Sequence, residues 1–545
     1  MTKVWKSFRE LLPSSRDYEY LRYSWRADVT AGITVGIVAL PLALAFGVSS
    51  GVGAEAGLIT AIVAGLIAAI FGGSNVQVSG PTGAMVVVLA PIVMQYGIPA
   101  VAVVSIMAGV LVLLAGFLKM GRMVSYIPWP VIEGFTAGIG VIIFMQQVPA
   151  AVASDGGGNS NAVLAACHAV VSAGWPGALL PVAVVVAVAA IMLILGKVAP
   201  KIPGSFIAIV VVTVVATLFS LPLETIGTLP QSLPAPAWPE MDPAMIQALA
   251  GPAVAVAALA AIESLLSARV AASMADTGPY NADRELVGQG LASVGAGLFG
   301  GMPATGAIAR TAVNVRSGAR TRMSAIVHAL VLLAVVYVAS TVVSVIPLAA
   351  LSGVLMVTAV RMISPEVIRR VTRSSWTDAL VFFLTAIITV SVDLVVAVII
   401  GIIAAAFFIL RKMSLESGVY REVLPGGEEA GDSRIGLFRL EGALFFGAAE
   451  RILDQILDYR DLEVVIIRLS EVQLIDTTGA HQLAEVVTTL ERRGVTVLIK
   501  GVRKEHIHVL GVLGAIRSLR HPNHLFEDLG EAVAHARSHT DRVAS

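Results

Sequence analysis

Charge and cysteine are scarce in this chain. Only 14% of its 545 residues are Asp, Glu, Lys or Arg, against roughly 25% in ordinary soluble domains. With 57% apolar residues, a soluble fold would lack the polar side chains to cover its surface. The 37 basic and 37 acidic residues cancel, so nothing points to nucleic acid or another polyanion as partner. The single cysteine, Cys167, excludes an intramolecular disulfide and a cysteine-cluster metal site. No G-x-x-x-x-G-K-[ST] loop is present to drive a nucleotide-powered pump. No nucleophile–base pair or metal cluster stands out, so an enzyme, a cofactor and a metal are not expected.

Apolar runs are what the chain has in abundance, and mean hydropathy is +0.85. A span needs about 20 residues. Candidate spans are read at 29–48, 54–72, 80–96, 98–119, 125–148, 176–196, 204–220, 246–273, 285–300, 304–318, 322–345, 346–362, 375–393 and 394–411. These make about fourteen, the third and tenth unusually short. An even count puts both termini on one side. The basic leader (Lys3, Lys6, Arg9, Arg16, Arg22, Arg26) and Arg411-Lys412 after the last span predict that side to be cytoplasmic. The first run is too long for a signal-peptide h-region, so no cleavable signal is read. The loops 154–161 and 221–243, the second with Pro230, Pro234, Pro236 and Pro239, lack a basic excess and are predicted external. The basic stretch Arg361–Arg373 predicts a cytoplasmic loop. The organisation is therefore an N-terminal segment 1–28, a transmembrane domain 29–411, a linker 412–433 and a soluble domain 434–545. The linker holds Gly426-Gly427 and the acidic Glu422, Glu428, Glu429 and Asp432. In the soluble domain, strands at Gly436–Leu440, Val464–Arg468 and Val495–Lys500 alternate with helices, an α/β pattern.

Two glycine- and proline-broken stretches interrupt the apolar runs. One runs from Phe71-Gly72-Gly73 to Ser79-Gly80-Pro81-Thr82-Gly83-Ala84. The other reads Phe299-Gly300-Gly301-Met302-Pro303-Ala304-Thr305-Gly306-Ala307. They share FGG, then Pro, then Thr-Gly-Ala. Paired broken segments in two halves of a membrane protein point to a binding site at mid-membrane. A helix beginning there aims free N–H groups and its positive dipole end into the cavity, which suits an anion. One such stretch alone reads as helix-packing glycines; the matching pair favours a site.

The run Glu285-Leu286-Val287-Gly288-Gln289-Gly290-Leu291, followed by FGG-x-PATGAIARTAVNVRSGARTR, resembles the sulfate permease (SulP) family of anion transporters, solute carrier family twenty-six. Ser79-Gly80-Pro81-Thr82 and the C-terminal Asp476-Thr477-Thr478-Gly479 fit the same family, and the C-terminal domain resembles a STAS domain. The resemblance covers essentially the whole chain. It implies an α-helical polytopic membrane protein of about fourteen helices in a seven-plus-seven inverted repeat, split into core and gate subdomains. It also implies homodimers, an elevator-like motion of the core, and a multi-pass protein of the bacterial inner membrane embedded in lipid.

Candidate substrate-binding residues are Ser79, Gly80, Pro81, Thr82 and Gly83 in the first stretch and Thr305, Gly306, Ala307, Ala309 and Arg310 in the second. Arg310 lies one turn into the tenth helix, where an intramembrane guanidinium must pair or face a cavity. The resemblance places a basic residue here beside the anion. Leu42 follows Pro41 where relatives often carry Gln or Glu, and with Phe46 it offers only apolar contact. Glu263, mid-span in the eighth run, is the candidate coupling carboxylate, with Ser267 one helical turn on. Structural pairing with Arg310 is the competing role for Glu263. Sodium-coupled bicarbonate relatives carry Asp and Thr at this pair and a threonine where this chain has Ile308. A hard cation wants several oxygens, so a proton is favoured over sodium. The expected substrate is a small anion, a C4-dicarboxylate or sulfate, with bicarbonate close behind. An uncoupled anion channel or exchanger and a membrane-anchored signalling protein remain alternatives. Glu133 and Asp393 read as structural. Thr478 matches a phosphorylation position of stand-alone STAS proteins, with helix capping as the plainer role. The histidines cluster in the soluble domain (His481, His506, His508, His521, His524, His535, His539), lack zinc-site spacing and read as solvated surface.

Overall fold

The computed structural model describes residues 11–154, 157, 161–199, 202–229, 231–392, 394–427 and 429–544. Lys3, Lys6, Arg9, most of the 154–161 loop, Pro230, Asp393 and Glu428 lie outside the described residues. The chain forms two compact units, Met1–Ile402 and Ile403–Ser545.

A helix lies over each of the fourteen apolar runs. The first half holds α1 (Leu21–Ser49), α2 (Ala54–Phe71), α3 (Gly83–Tyr96), α4 (Pro99–Phe117), α5 (Trp129–Ala151), α6 (Leu179–Val198) and α7 (Gly204–Leu218). The second holds α8 (Pro243–Met274), α9 (Ala282–Leu298), α10 (Ile308–Arg316), α11 (Met323–Ser344), α12 (Leu348–Met362), α13 (Trp376–Ser391) and α14 (Leu394–Glu416). Two short helices with no counterpart in the sequence reading, Ala162–Ser172 and Pro365–Ser374, sit in connecting segments. Among the described residues, nine helical stretches are long and apolar enough to cross a membrane. Helices are the expected solution in lipid because every backbone group is satisfied within the segment.

Packing separates two groups. Helices α1, α2, α4, α8, α9 and α11 pack on one another, with α10 against α8 and α1. The second group is built from α5, α6, α7, α12 and α13. Small residues let the first group close up. Gly109 of α4 faces Gly290 of α9 so tightly that a Cβ on Gly109 would stand 2.8 Å from the Gly290 oxygen. Without a hydrophobic driving force between helices in lipid, such backbone-to-backbone contact supplies the attraction.

The two broken stretches meet. Ser79–Gly80 (β1) and Thr305–Gly306 (β2) form a two-residue antiparallel pair, with Ser79 opposite Gly306 and Gly80 opposite Thr305. Helix α3 starts three residues after β1 and α10 two residues after β2. Because the strands are antiparallel, the two short helices leave the pair in opposite directions.

In the second unit a five-stranded sheet has the order β3 (Gly418–Glu422), β4 (Ile435–Leu444), β5 (Val464–Ile475), β6 (Thr496–Lys500), β7 (Leu525–Phe526). Only β3 runs antiparallel to its neighbour. Alternate residues face opposite sides. Phe438, Leu440, Val465 and Ile467 join the core with α15 (Ala449–Leu457), α16 (Thr477–Arg492) and α17 (Lys504–Val512). Ile435, Leu437, Val464 and Ile466 pack against α18 (Leu529–Ala544) on the other face. The stretch 412–433, read as a linker, holds the end of α14 and all of β3. Of its acidic residues, Glu422 ends the edge strand and pairs with Arg439 and Arg468, while Glu429 and Asp432 pair with Arg537.

Candidate functional site

The β1·β2 pair brings the N-termini of α3 and α10 together. Neither helix has a side-chain cap: Thr82 before α3 and Ala307 before α10 make no capping hydrogen bond. Two sets of first-turn N–H groups, each at the positive end of a helix dipole, are thus left for a ligand.

The Thr82 hydroxyl, spared from capping, donates to Glu263 Oε2 at 2.9 Å. Glu263 is half-buried on α8. Its neighbour Ser264 accepts from the Gly306 N–H at 3.0 Å, so α8 holds both halves of the pair. Arg310 crosses from α10 to the start of α3, where Nη2 donates to the Pro81 carbonyl at 2.6 Å. The guanidinium lies under Gly80, where φ is +152° and a Cβ would come within 2.8 Å of Nη1. Glycine serves there both for the backbone angle and for the space. Arg310 is 2% exposed, and among the described residues its Nη1 has no hydrogen-bond partner. A buried cation with a spare donor at a helix N-terminus is suited to an oxyanion.

The other candidate residues divide. Thr305 and Gly306 are buried in β2, and the Ala307 N–H is taken by Val78 O at 2.9 Å. Ala309 is exposed. Ser79 spends its hydroxyl on Gln289 at 3.1 Å, and Ser267 shares a 3.2 Å contact with the Thr311 hydroxyl. Leu42 and Phe46 are buried on α1; the Phe46 ring would lie 3.4 Å from a Cβ on Gly83. Glu133 accepts from the Trp129 indole at 3.0 Å within its own helix.

Several residues escaped the sequence reading. Thr311 binds Ser267 and accepts from the Val78 N–H at 3.1 Å. Glu285 accepts from the Gly73 and Ser74 N–H groups and from Gln77, at 2.7, 3.2 and 2.9 Å, and so fixes the approach to β1. Arg284 grips Asp17 through two nitrogens at 3.0 and 2.7 Å. Ile143 of α5 presses on Gly83. The only signal for Arg284 and Glu285 was their charge at the start of a span.

Two cavities lie between the helix groups. One of about 750 Å³ follows α3 away from the pair, with Gln95 of α3, Gln146 of α5 and Gly251 of α8 in its wall. The other, about 730 Å³, follows α10, with Arg316, Thr34 of α1, Ser205 of α7 and Arg361 of α12. Residues 79–83 and 305–310 are not among the lining residues of either.

In the second unit, Asp476 caps α16 by accepting from the Gly479 N–H at 2.7 Å, and Thr478 is exposed in the first turn. The spacing argument against a metal site fails in space: His535 and His539 of α18 come together with His524 from the turn before β7.

Comparison with known proteins finds likeness along most of the chain. The sequence profile of the sulfate permease family matches residues 25–385, and that of the STAS domain matches 429–532. YvdB of Bacillus subtilis (strain 168), named as a candidate sulfate transporter, is 33% identical over 487 residues, 84% of this chain and 88% of its own length. The bicarbonate transporter BicA of Synechocystis sp. is 32% identical over 499 residues, 87% of this chain and 88% of its own. The structure of SLC26A9 superposes with a TM-score of 0.84 over 99% of this chain and 94% of that one; at 16% identity the likeness is one of fold. The transmembrane domain of a cyanobacterial BicA gives a TM-score of 0.60 at 31% identity, covering 70% of this chain and 97% of that domain.

Proposed function

Because the chain belongs to the sulfate permease family, anion transporters with a C-terminal STAS domain, we propose that it is a proton-coupled symporter of small oxyanions. A C4-dicarboxylate or sulfate is the favoured substrate. The anion is held between the N-termini of α3 and α10, with Arg310 supplying charge and Glu263 exchanging the proton. The cradle is carried by the α1–α4 and α8–α11 group past the other helices, an elevator-type alternating access. The protein works as a homodimer in the bacterial inner membrane with both termini cytoplasmic.

One observation carries this reading. Arg310 of the second half bonds Pro81 of the first, while Thr82 of the first bonds Glu263 of the second. A fixed cation and an ionisable carboxylate of the second repeat thus serve a cradle to which the first repeat gives Pro81 and Thr82. An anion drawn to the cation is repelled by the carboxylate until that group takes a proton. The cavities on the α3 and α10 sides support alternating access.

The second reading is a sodium-coupled bicarbonate transporter. The likeness to BicA favours it, as does Thr311, whose hydroxyl beside Ser267 supplies an oxygen near the position where Ile308 has none.

Uptake of labelled sulfate, succinate and bicarbonate into proteoliposomes separates the readings. Accumulation driven by an acid-outside gradient without sodium, and absent from Arg310→Glu, is expected. A strict sodium requirement would move the assignment to the second reading. Currents far above transporter turnover would replace it with a channel.

A further inference from the structure

Seven histidines lie between residues 481 and 539, and three converge at the end of the STAS unit. His535 and His539 stand one turn apart on α18, so both rings leave the same face. His524 arrives from the turn just before β7. One candidate ligand atom from each lies within 4.8 Å of the other two.

The arrangement is unlike a chance surface cluster in three respects. His524 is only 4% exposed, and among the described residues its Nδ1 has no hydrogen-bond partner. A buried ring nitrogen left without a partner is costly. The rings converge on edge instead of stacking, with interplanar angles of 62°, 88° and 76° for the three pairs. The Nε2 atoms of His535 and His539 are 3.3 Å apart. A tetrahedral metal with M–N bonds of about 2.05 Å spaces its ligands by about 3.3 Å. That pair is already set at the edge of such a tetrahedron. Small side-chain rotations bring the third nitrogen in from within 4.8 Å. The positive charge nearby is offset, since Arg520 pairs with Glu491 at 3.0 Å.

We propose that His524, His535 and His539 form a binding site for a divalent transition-metal ion, with zinc the best match to three imidazoles and an open fourth position for water. Imidazole ligands suit Zn²⁺, Cu²⁺ and Ni²⁺ and disfavour Mg²⁺ and Ca²⁺. Bound metal clamps α18, the last helix of the described chain, to the turn that feeds the edge strand β7. Binding needs the lone pairs of both His535 and His539, so it releases any proton held between them.

The test uses the full-length protein, purified in detergent with any affinity tag removed. Titration with CoCl₂ is expected to give one equivalent of visible-absorbing, low-coordinate cobalt per chain, displaced by ZnCl₂ and untouched by MgCl₂. In His535→Gln/His539→Gln the band disappears and zinc affinity falls at least about 100-fold, while His481→Gln retains both. ZnCl₂ also slows hydrogen exchange across residues 529–540 of the wild type, a reading that does not depend on any variant folding. An unchanged cobalt spectrum in the double variant, or no zinc-dependent protection in the wild type, overturns the site.

Discussion

Glu263→Gln separates the carboxylate's charge from its shape. Glutamine retains a side-chain oxygen, so the 2.9 Å bond from the Thr82 hydroxyl survives the change. Only the negative charge is lost. An anion held by the Gly83 N–H sits about 2.9 Å from that nitrogen. Taking it about 6 Å from the carboxylate, the outer reach of a strong neighbouring-charge effect, sets the scale. At an effective dielectric of about 20, the repulsion is 332/(20 × 6), or about 2.8 kcal/mol. That corresponds to about 100-fold in affinity. Where Glu263 is ionised, the variant should therefore bind its anion up to about 100-fold more tightly than the wild type. Wild-type affinity should rise about tenfold per unit of falling pH and level off at the variant's value, which stays flat. Isothermal titration of the purified protein with sulfate and succinate between pH 5 and 8.5 measures both curves. Weaker binding by Glu263→Gln, or an undiminished pH slope in it, would refute the electrostatic argument and return Glu263 to a purely structural role.

Three further substitutions probe how the transmembrane unit is supported. Asp17→Asn breaks the buried pair with Arg284, whose side chains are 8% and 14% exposed, and should cost about 3–5 kcal/mol. Burial pushes the Asp17 carboxyl up, but bonds from Arg284 and the Ser14 N–H, with the charge of Arg322, hold it below its ordinary value. A depressed carboxyl stabilises above its unfolded pKa. The gap in Tm between wild type and variant should therefore be full above about pH 4 and close below it in thermal-shift scans; a constant gap would remove the ion pair as its cause. Gly57→Ala puts a methyl into the Ala43 carbonyl where α1 crosses α2 and should destabilise by about 1–3 kcal/mol or more. Gly251→Ala meets open space and should leave Tm unchanged or raised; equal losses in the two would discredit the crossing.

Spans were legible because hydrocarbon demands long apolar runs, and the two half-helices because only glycine and proline break such runs so conspicuously. The β-branched runs Val464–Arg468 and Val495–Lys500 showed as strands, the first inside β5 and the second starting one residue before β6. The edge strand β3 did not, since its Gly-Val-Tyr-Arg-Glu has only two apolar residues. Within the cradle, residue types were readable and their partners were not. Nothing local tells that Ser79 turns to Gln289, or that Arg310 reaches back 229 residues to Pro81. Arg284 looked like an ordinary helix-start charge because its partner Asp17 lies in a short turn before the first span. The histidines illustrate the same limit. Spacing rules capture ligands from one local motif, whereas His524 and the α18 pair join only once β7 is docked against β6.

The β1·β2 pair also bears on how the protein is made. Ser79 meets Gly306, so the cradle is closed by residues synthesised long after the first half-helix has entered the membrane. Until then the start of α3 faces the bilayer interior with neither its strand partner nor Arg310. Such high contact order makes this junction one of the last steps of assembly. A nascent chain that stops before Thr305 carries half a cradle and nothing to hold an anion.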